Sequence, residues 1–182
     1  SEAKAIGDEL CAANDFSGAY KAYGKAQDLG VAEEDITNAT TSCREREEKF
    51  NNLVASREEA DTLAAAKDLK GAIAAYRQTI SLGGPKQEIE AIIQELEMKM
   101  AELVVSVRGR SKDVPIHAYL KMGNLQLEPA SIKGNEVIFD GIPADTNFRL
   151  VVGARGYTTA EKKVPPIPGR QSSSLRVDLK YL

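Results

Sequence analysis

The chain has 182 residues, of which 42% are hydrophobic and 28% are charged, and these fractions are ordinary for a soluble globular protein. No segment approaches the roughly 18 consecutive apolar residues that span a bilayer, so the sequence excludes a direct membrane span in this chain. The net charge of −3 divides unevenly, with 12 basic against 20 acidic residues up to Leu103 and 12 against 7 from Val104 onward. This change of sign predicts two domains, residues 1–103 and residues 104–182.

Amino-acid composition changes at the same boundary. Before it the sequence is rich in the helix formers Ala, Glu, Lys, Gln and Leu, and its single proline, Pro85, lies at a helix-start position. After it Val, Ile and Thr alternate with polar residues, and six of the seven prolines occur there. The predicted fold class is α+β, with an α-helical domain followed by a β domain. The basic residues of the β domain are scattered along its strands, which indicates a solvated sheet face and no nucleic-acid partner.

One stretch of the helical domain occurs twice. The segment DFSGAYKAYGKAQDLG, which begins at Asp15, shares seven of its sixteen residues with DLKGAIAAYRQTISLG, which begins 53 residues later at Asp68. The small residues and the tyrosine of each copy predict a helix packed closely on the helix before it. We therefore predict two helical hairpins, turned at Asn14-Asp15 and at Lys67-Asp68. Repeated hairpins of this kind build a stack, because each unit buries the face that its neighbour leaves open.

The repeated residues resemble the tetratricopeptide repeat. In the first copy the match rests on Ile6, Gly7, Leu10, the sequence NDF, Ala19, Tyr23 and Ala26, and in the second on Leu63, Asp68, Leu69, Ala72 and Tyr76. The second copy departs from the pattern at Ala60 and Thr79. The resemblance implies a stack of α-hairpins that binds a protein or peptide. The period also departs, since these repeats recur about every 34 residues.

Two further segments of the helical domain carry helical spacing. From Glu33 to Lys67 the sequence contains no Pro or Gly, which predicts one long helix that continues into the second hairpin. After Pro85 an apolar stripe predicts a last helix that runs to the end of the domain, with one face formed by Ile89, Ile92, Ile93, Leu96, Met100 and Leu103.

The second half alternates apolar and polar residues with a period of two. In the segment from Ile116 to Met122 the apolar residues fall on one side and His117 falls on the other, and the segments 148–152 and 175–181 follow the same rule. Turn-forming sequences separate these segments. Several short strands in about 80 residues, each with one buried face, predict a small antiparallel β-sandwich.

This half resembles the PEGA-type and carboxypeptidase-regulatory-like domains. The match rests on Phe139, Gly141, Ile142, Pro143, Ala144, Gly156 and Tyr157. Asp145 stands where the pattern usually has glycine, and aspartate enters turn conformations readily. The resemblance implies a prealbumin-like or immunoglobulin-like sandwich of a bacterial protein, non-catalytic and extracytoplasmic, in the periplasm or at the cell surface.

Residues suited to catalysis or metal binding are sparse. His117 is the only histidine, and a metal site would need clustered partners. Cys11 and Cys43 lie at packing positions on helical segments, so we expect two buried thiols, with a disulfide between them as the alternative. No phosphate-binding loop occurs, and the carboxylates interleave with Arg and Lys as on a solvated helix face. The sequence predicts a protein with no cofactor and no enzymatic activity.

The predicted function is that of a protein-interaction or scaffold module within a larger bacterial envelope or signalling protein. The alternative is a glycan-binding β domain carried on a helical spacer, although the chain has no Trp for sugar stacking. Homo-oligomerisation is left open. Matching the tetratricopeptide motif places a partner groove on the first helix of each hairpin, at Lys4, Asp8, Cys11, Arg57, Asp61 and Ala64. Because each cation has an aspartate four residues later, we expect a mixed-charge or apolar groove and not a carboxylate clamp.

Overall fold

A computed structural model describes residues 2–182 and has an α-helical part followed by a β part, which confirms the predicted α+β layout. The helices are α1 (Glu2–Ala12), α2 (Phe16–Asp28), α3 (Glu33–Ala65), α4 (Leu69–Ser81) and α5 (Lys86–Met98). The strands are β1 (Met100–Arg108), β2 (Ile116–Met122), β3 (Leu125–Leu127), β4 (Ser131–Lys133), β5 (Glu136–Pro143), β6 (Phe148–Ala154), β7 (Ala160–Val164) and β8 (Ser172–Asp178).

The chain forms two compact units, and two of the three limits between them fall inside helices. The first unit contains the residues up to Glu58 together with Gln78–Gly84, and the second contains Glu59–Arg77 together with Pro85–Leu182. The predicted boundary at Leu103 follows the change from helix-forming to strand-forming sequence, whereas the compact units divide within α3, within α4 and between α4 and α5.

The helix limits repeat at the same interval of 53 residues as the sequence. Helices α1 and α3 end at Ala12 and Ala65, and helices α2 and α4 cover the equivalent ranges 16–28 and 69–81. The turn residues Asn14 and Lys67 both have a φ of 64°, in the left-handed region. Both predicted hairpin turns are therefore confirmed.

An aspartate caps the second helix of each hairpin. The side chain of Asp15 accepts a hydrogen bond from the backbone N–H of Gly18 at 2.9 Å, and Asp68 does the same with Gly71 at 3.0 Å. A Cβ atom at either glycine would overlap the capping carboxylate. The Asp and Gly that both copies share at this spacing are thus explained by one capping geometry.

The long helix predicted from Glu33 is confirmed, since α3 runs from Glu33 to Ala65. Helix α5 begins at Lys86, which is 53 residues after the first residue of α3. The repeating unit therefore has three helical segments, and α3 contains the third segment of the first copy and the first segment of the second. Three helical segments in each unit account for the period of 53 residues.

A disulfide joins Cys11 of α1 to Cys43 of α3 within the first unit, so the expectation of two free thiols is wrong. The Cα atoms of the two residues are 5.8 Å apart, well inside the range that a disulfide bridges. Sequence spacing does not indicate this proximity, because the two cysteines are 32 residues apart and meet only when the third helical segment returns beside the first.

The predicted helical stripe extends too far. Helix α5 ends at Met98 and β1 begins at Met100, so Met100 and Leu103 lie in a strand. Leu103 is buried in the β core and lies opposite Phe139 in the antiparallel pair of β1 with β5. The segment MAELVVSV is compatible with helical spacing and with alternation, and it forms a strand because strand pairing buries every second residue.

Two four-stranded sheets form the β part, with strand orders β4-β5-β1-β8 and β3-β2-β6-β7. All neighbouring strands are antiparallel except β1 and β8, which are parallel. The prediction of a wholly antiparallel β domain is therefore corrected for this pair. The predicted alternation of β2 is confirmed, since Ile116, Ala118 and Leu120 are buried while His117 is exposed.

Both sheets bury residues in one hydrophobic core. Its fully buried members include Leu103 and Val105 of β1, Leu120 of β2, Phe139 of β5 and Leu150 of β6. At about 25 cal/mol per Å² of buried apolar surface, such side chains are the main source of stability in this part.

We expect reduction of the Cys11–Cys43 disulfide to lower the stability of the first unit by about 3 kcal/mol, because the bond removes loop-closure entropy from the unfolded chain. Thermal unfolding of the full chain with and without reductant measures the effect. A Cys11→Ser/Cys43→Ser variant should unfold like the reduced protein and should not respond to reductant. Free thiols in the oxidised, folded protein would contradict the assignment.

Candidate functional site

A buried tyrosine joins the two helices of the first hairpin. The hydroxyl of Tyr23 on α2 donates to a carboxylate oxygen of Asp8 on α1 at 3.0 Å, and only 3% of Tyr23 is exposed. The ammonium group of Lys4 contacts the other oxygen of Asp8 at 2.9 Å. Asp8 therefore accepts hydrogen bonds from a surface ammonium group and from a buried hydroxyl.

The second copy repeats this bond. Tyr76 is 3% exposed and its hydroxyl donates to a carboxylate oxygen of Asp61. The predicted burial of both tyrosines is confirmed. The structural role of the two aspartates was missed by sequence reasoning, although an Asp followed by a Tyr at the same spacing in both copies was a usable signal.

Burial and the Asp8 carboxylate both act on Tyr23. Burial, followed by the hydrogen bond to Asp8, raises the pKa of Tyr23 to about 12. Burial also acts to raise the pKa of Asp8, but hydrogen bonds from Lys4 and Tyr23 and the positive charge of Lys4 together hold that pKa below its usual value. At neutral pH the bond therefore joins a neutral phenol to a carboxylate, which strengthens it.

Close packing of the tyrosine ring differs between the copies. A Cβ atom at Gly7 would lie 2.5 Å from the Tyr23 ring, so the first copy needs glycine at this position. The second copy has Ala60 there, and this alanine is fully buried.

Two buried alanines of the first copy are replaced by two hydroxyl residues in the second. Ala3 and Ala26 are buried in the first copy, where the second copy has Ser56 and Thr79. The hydroxyl oxygens of Ser56 and Thr79 lie 3.0 Å apart in a buried hydrogen bond. Because an unpaired buried hydroxyl is unfavourable, the two hydroxyls satisfy each other.

The six residues of the predicted groove divide between the two units. Lys4, Asp8, Cys11 and Arg57 belong to the first unit, and Asp61 and Ala64 belong to the second. Cys11 is buried and bonded to Cys43, so it offers no surface to a partner, and its place in the groove is corrected.

The other groove residues differ in their contacts. Asp8 and Asp61 both hold a buried tyrosine hydroxyl, while Lys4 is paired with Asp8, as the four-residue spacing predicted. Arg57 and Ala64 are partly buried.

Two surface depressions of the first unit were not predicted. One, of about 370 Å³, lies between α1 and α2, and exposes Ile6 at 46% and Leu29 at 67%. The other, of about 390 Å³, lies between α2 and α3 and is lined by Tyr20, Arg44 and Glu47 among others. The hydroxyl of Tyr20 donates to Glu47 at 2.7 Å, and this bond is the largest cause of a raised pKa of Tyr20.

The described residues contain neither a metal-ligand cluster nor a helix suited to a membrane span. Across residues 2–182, no three His, Cys, Asp or Glu side chains are grouped so as to hold a metal ion. None of the helices described in that range combines the length and apolar character needed to cross a membrane.

No protein-family model matches the chain, and no curated protein is similar to it. Among solved structures, it is similar to the Bacillus anthracis TIE protein, with a TM-score of 0.38 and 11% identity over 46% of this chain and 17% of that one. It is also similar to the S-layer protein SbsC, with a TM-score of 0.30 and 14% identity over 95% of this chain and 31% of that one.

The N-terminal part of a bacterial S-layer protein SbsC matches with a TM-score of 0.30 and 13% identity, over 99% of this chain and 55% of that one. This chain therefore spans little more than half, or less, of the structures it matches.

We expect Tyr23→Ala and Tyr76→Ala each to destabilise the protein by about 3 kcal/mol or more, because each removes a large buried ring and leaves a cavity. Tyr23→Phe and Tyr76→Phe, which remove only the hydroxyl, should each lower the stability by about 1 kcal/mol. Urea unfolding followed by circular dichroism measures both. Alanine variants as stable as the parent would contradict the assigned packing.

Proposed function

We propose that the chain is a non-catalytic protein-interaction or scaffold module of a larger bacterial envelope or signalling protein. In this proposal the hairpins are tetratricopeptide-like, and the β part is a PEGA-like sandwich. The partner is a protein or a peptide.

The observation that carries the proposal is the repetition of one hairpin at 53 residues, in its helix limits, turn conformation, aspartate cap and buried Tyr–Asp bond. Stacked helical hairpins generally work as binding surfaces, because they hold side chains from successive helices in fixed positions. The assignment of the β part is supported by the shared core of its two sheets and by Asp145, whose φ of 52° suits the turn position where the PEGA pattern has glycine.

An extracytoplasmic location is supported by the Cys11–Cys43 bond. Structural disulfides form and persist in oxidising compartments such as the periplasm and the cell surface, and they are rare in the reducing cytosol. Both cysteines of the chain are used in this one bond.

The surface of the first unit offers apolar and charged contacts near the predicted groove. Ile6 and Leu29 are exposed beside α1 and α2, and Lys4 lies one turn before Asp8 on α1. A partner that buries apolar side chains against α1, with charged groups at the margin, fits this surface better than a carboxylate clamp does.

The double variant Lys4→Glu/Arg57→Glu tests the groove. Partners are captured from envelope extracts of the source bacterium by the immobilised chain and identified, and their affinity for each variant is then measured. We expect binding to weaken about tenfold or more, because two cations of the predicted groove are reversed. The matched control is Lys21→Glu/Lys49→Glu, which makes the same charge change at exposed positions of α2 and α3.

Circular dichroism establishes that each variant is folded before its affinity is compared. Equal binding by the folded groove variant and the control would place the interface elsewhere. Failure of the chain to retain any specific protein would contradict the scaffold function itself.

A further inference from the structure

Three cations form a row across sheet β3-β2-β6-β7 in the second unit. Lys121 of β2 lies directly opposite Arg149 of β6, and Arg149 lies directly opposite Lys163 of β7. All three are exposed, on the face opposite to the core residues Leu120 and Leu150. Because neighbouring strands are about 4.8 Å apart, the backbone positions of the three residues lie along a line about 10 Å long.

This arrangement is unfavourable to the fold alone, since like charges directly opposite each other repel across a strand pair. Glu161 of β7 contacts Arg149 at 3.5 Å, but both side chains are more than half exposed, so this pair is weak. Lys121 and Lys163 form no ion pair with any residue between 2 and 182. The row therefore retains most of its positive charge.

Protection of a sheet edge does not explain the row. Lysine on an edge strand discourages pairing with another chain, and β7 is such a strand. Lys162 of the same strand donates its ammonium group to the backbone carbonyl of Arg176 on β8 at 2.6 Å. Lys121 and Arg149 lie on the interior strands β2 and β6, where there is no edge to protect.

The row borders a depression of about 500 Å³ at one end of the sheet. All three cations line it, together with Gly123 of the turn after β2 and Asn147, which precedes β6. The surface is thus concave, cationic and provided with a neutral amide.

We propose that this cationic row, Lys121–Arg149–Lys163, is a docking surface for an acidic protein helix that presents a stripe of carboxylates. The inference rests on the proposed function of the chain as a protein-interaction module, and it names the chemistry of one partner surface.

Charge and spacing favour such a helix. Carboxylates three or four residues apart on a helix are separated by about 5–6 Å, close to the separation of neighbouring strands. Arg149, at the centre, can bind a carboxylate through two parallel hydrogen bonds. A single-stranded nucleic acid would need aromatic platforms among the cations, and the lining of this depression includes Phe148, which is buried in the core, but no exposed aromatic ring.

The probe is an alanine-based helical peptide of about 20 residues with glutamate at every fourth position along one face. Its matched control has glutamine at those positions. Titration of the full chain is followed by amide chemical shifts at about 0.01 M ionic strength, where the Debye length is about 30 Å. We expect the glutamate peptide alone to shift amides of β2, β6 and β7 around the row.

Variants of the full chain test the row directly. Lys121→Gln/Arg149→Gln/Lys163→Gln should weaken binding about tenfold or more, whereas Glu161→Gln should strengthen it by removing the competing anion. The control Lys112→Gln/Arg155→Gln/Lys180→Gln removes the same charge from exposed positions outside the row. Compared at about 0.15 M ionic strength, where the Debye length is about 8 Å, it should weaken binding much less than the row variant does.

A stability measurement separates docking from a structural role. Lys121→Gln/Lys163→Gln leaves the Arg149–Glu161 pair intact and should raise the melting temperature at low salt, because it relieves repulsion within the row. A lower melting temperature would mean that the lysines serve the fold, and it would overturn the proposal.

Three other results would also overturn it: no binding of the glutamate peptide, equal loss of binding in the control variant, or tighter binding of a single-stranded oligonucleotide than of the peptide. The two proposals fail separately. If no protein is captured from extracts while the peptide binds the row, the scaffold function alone is lost. If a captured partner binds but the peptide does not, only the docking role of the cationic row is excluded.

Discussion

A buried hydrogen bond from a tyrosine hydroxyl to an aspartate sets the geometry of the helical hairpins. Tyr23 reaches Asp8 in the first copy and Tyr76 reaches Asp61 in the second, and each tyrosine is 3% exposed. A phenol is buried this deeply only when its hydroxyl is hydrogen-bonded, because an unpaired buried donor raises the free energy of the folded state. The bond therefore ties together the two helices of each hairpin, and in the first copy the buried ring leaves no room for a Cβ atom at Gly7.

Equivalent core positions of the two copies hold different side chains. In the first copy a disulfide joins Cys11 to Cys43, whereas the equivalent positions of the second copy hold Ala64 and Leu96. The hydroxyl pair of Ser56 and Thr79 replaces two alanines of the first copy. In each pair both members differ between the copies, so the disulfide occurs in the first copy and the buried hydroxyl pair in the second. The covalent bond gives the first copy a stability that depends on redox conditions, which the second copy lacks.

Local signals in the sequence were enough to predict the hairpin turns, the long helix α3, the burial of both tyrosines and the exposed position of His117. Each of these depends on residues close together in the chain, where spacing and turn chemistry act directly. The disulfide was expected only as the alternative to two thiols, and the start of β1 at Met100 and the parallel pairing of β8 were not predicted. All three depend on which distant segments meet. The cationic row was not predicted either. Lys121, Arg149 and Lys163 are far apart in the sequence, and only the strand register makes them neighbours.

Double-mutant cycles on the two Tyr–Asp pairs test most directly whether one bond organises both hairpins. Tyr→Phe and Asp→Ala changes are made singly and together at Tyr23 and Asp8, and in parallel at Tyr76 and Asp61, and unfolding free energies are measured for each variant. We predict a favourable coupling energy of about 1 kcal/mol or more in both copies. Coupling near zero in either copy, with the folded state intact, would contradict the account.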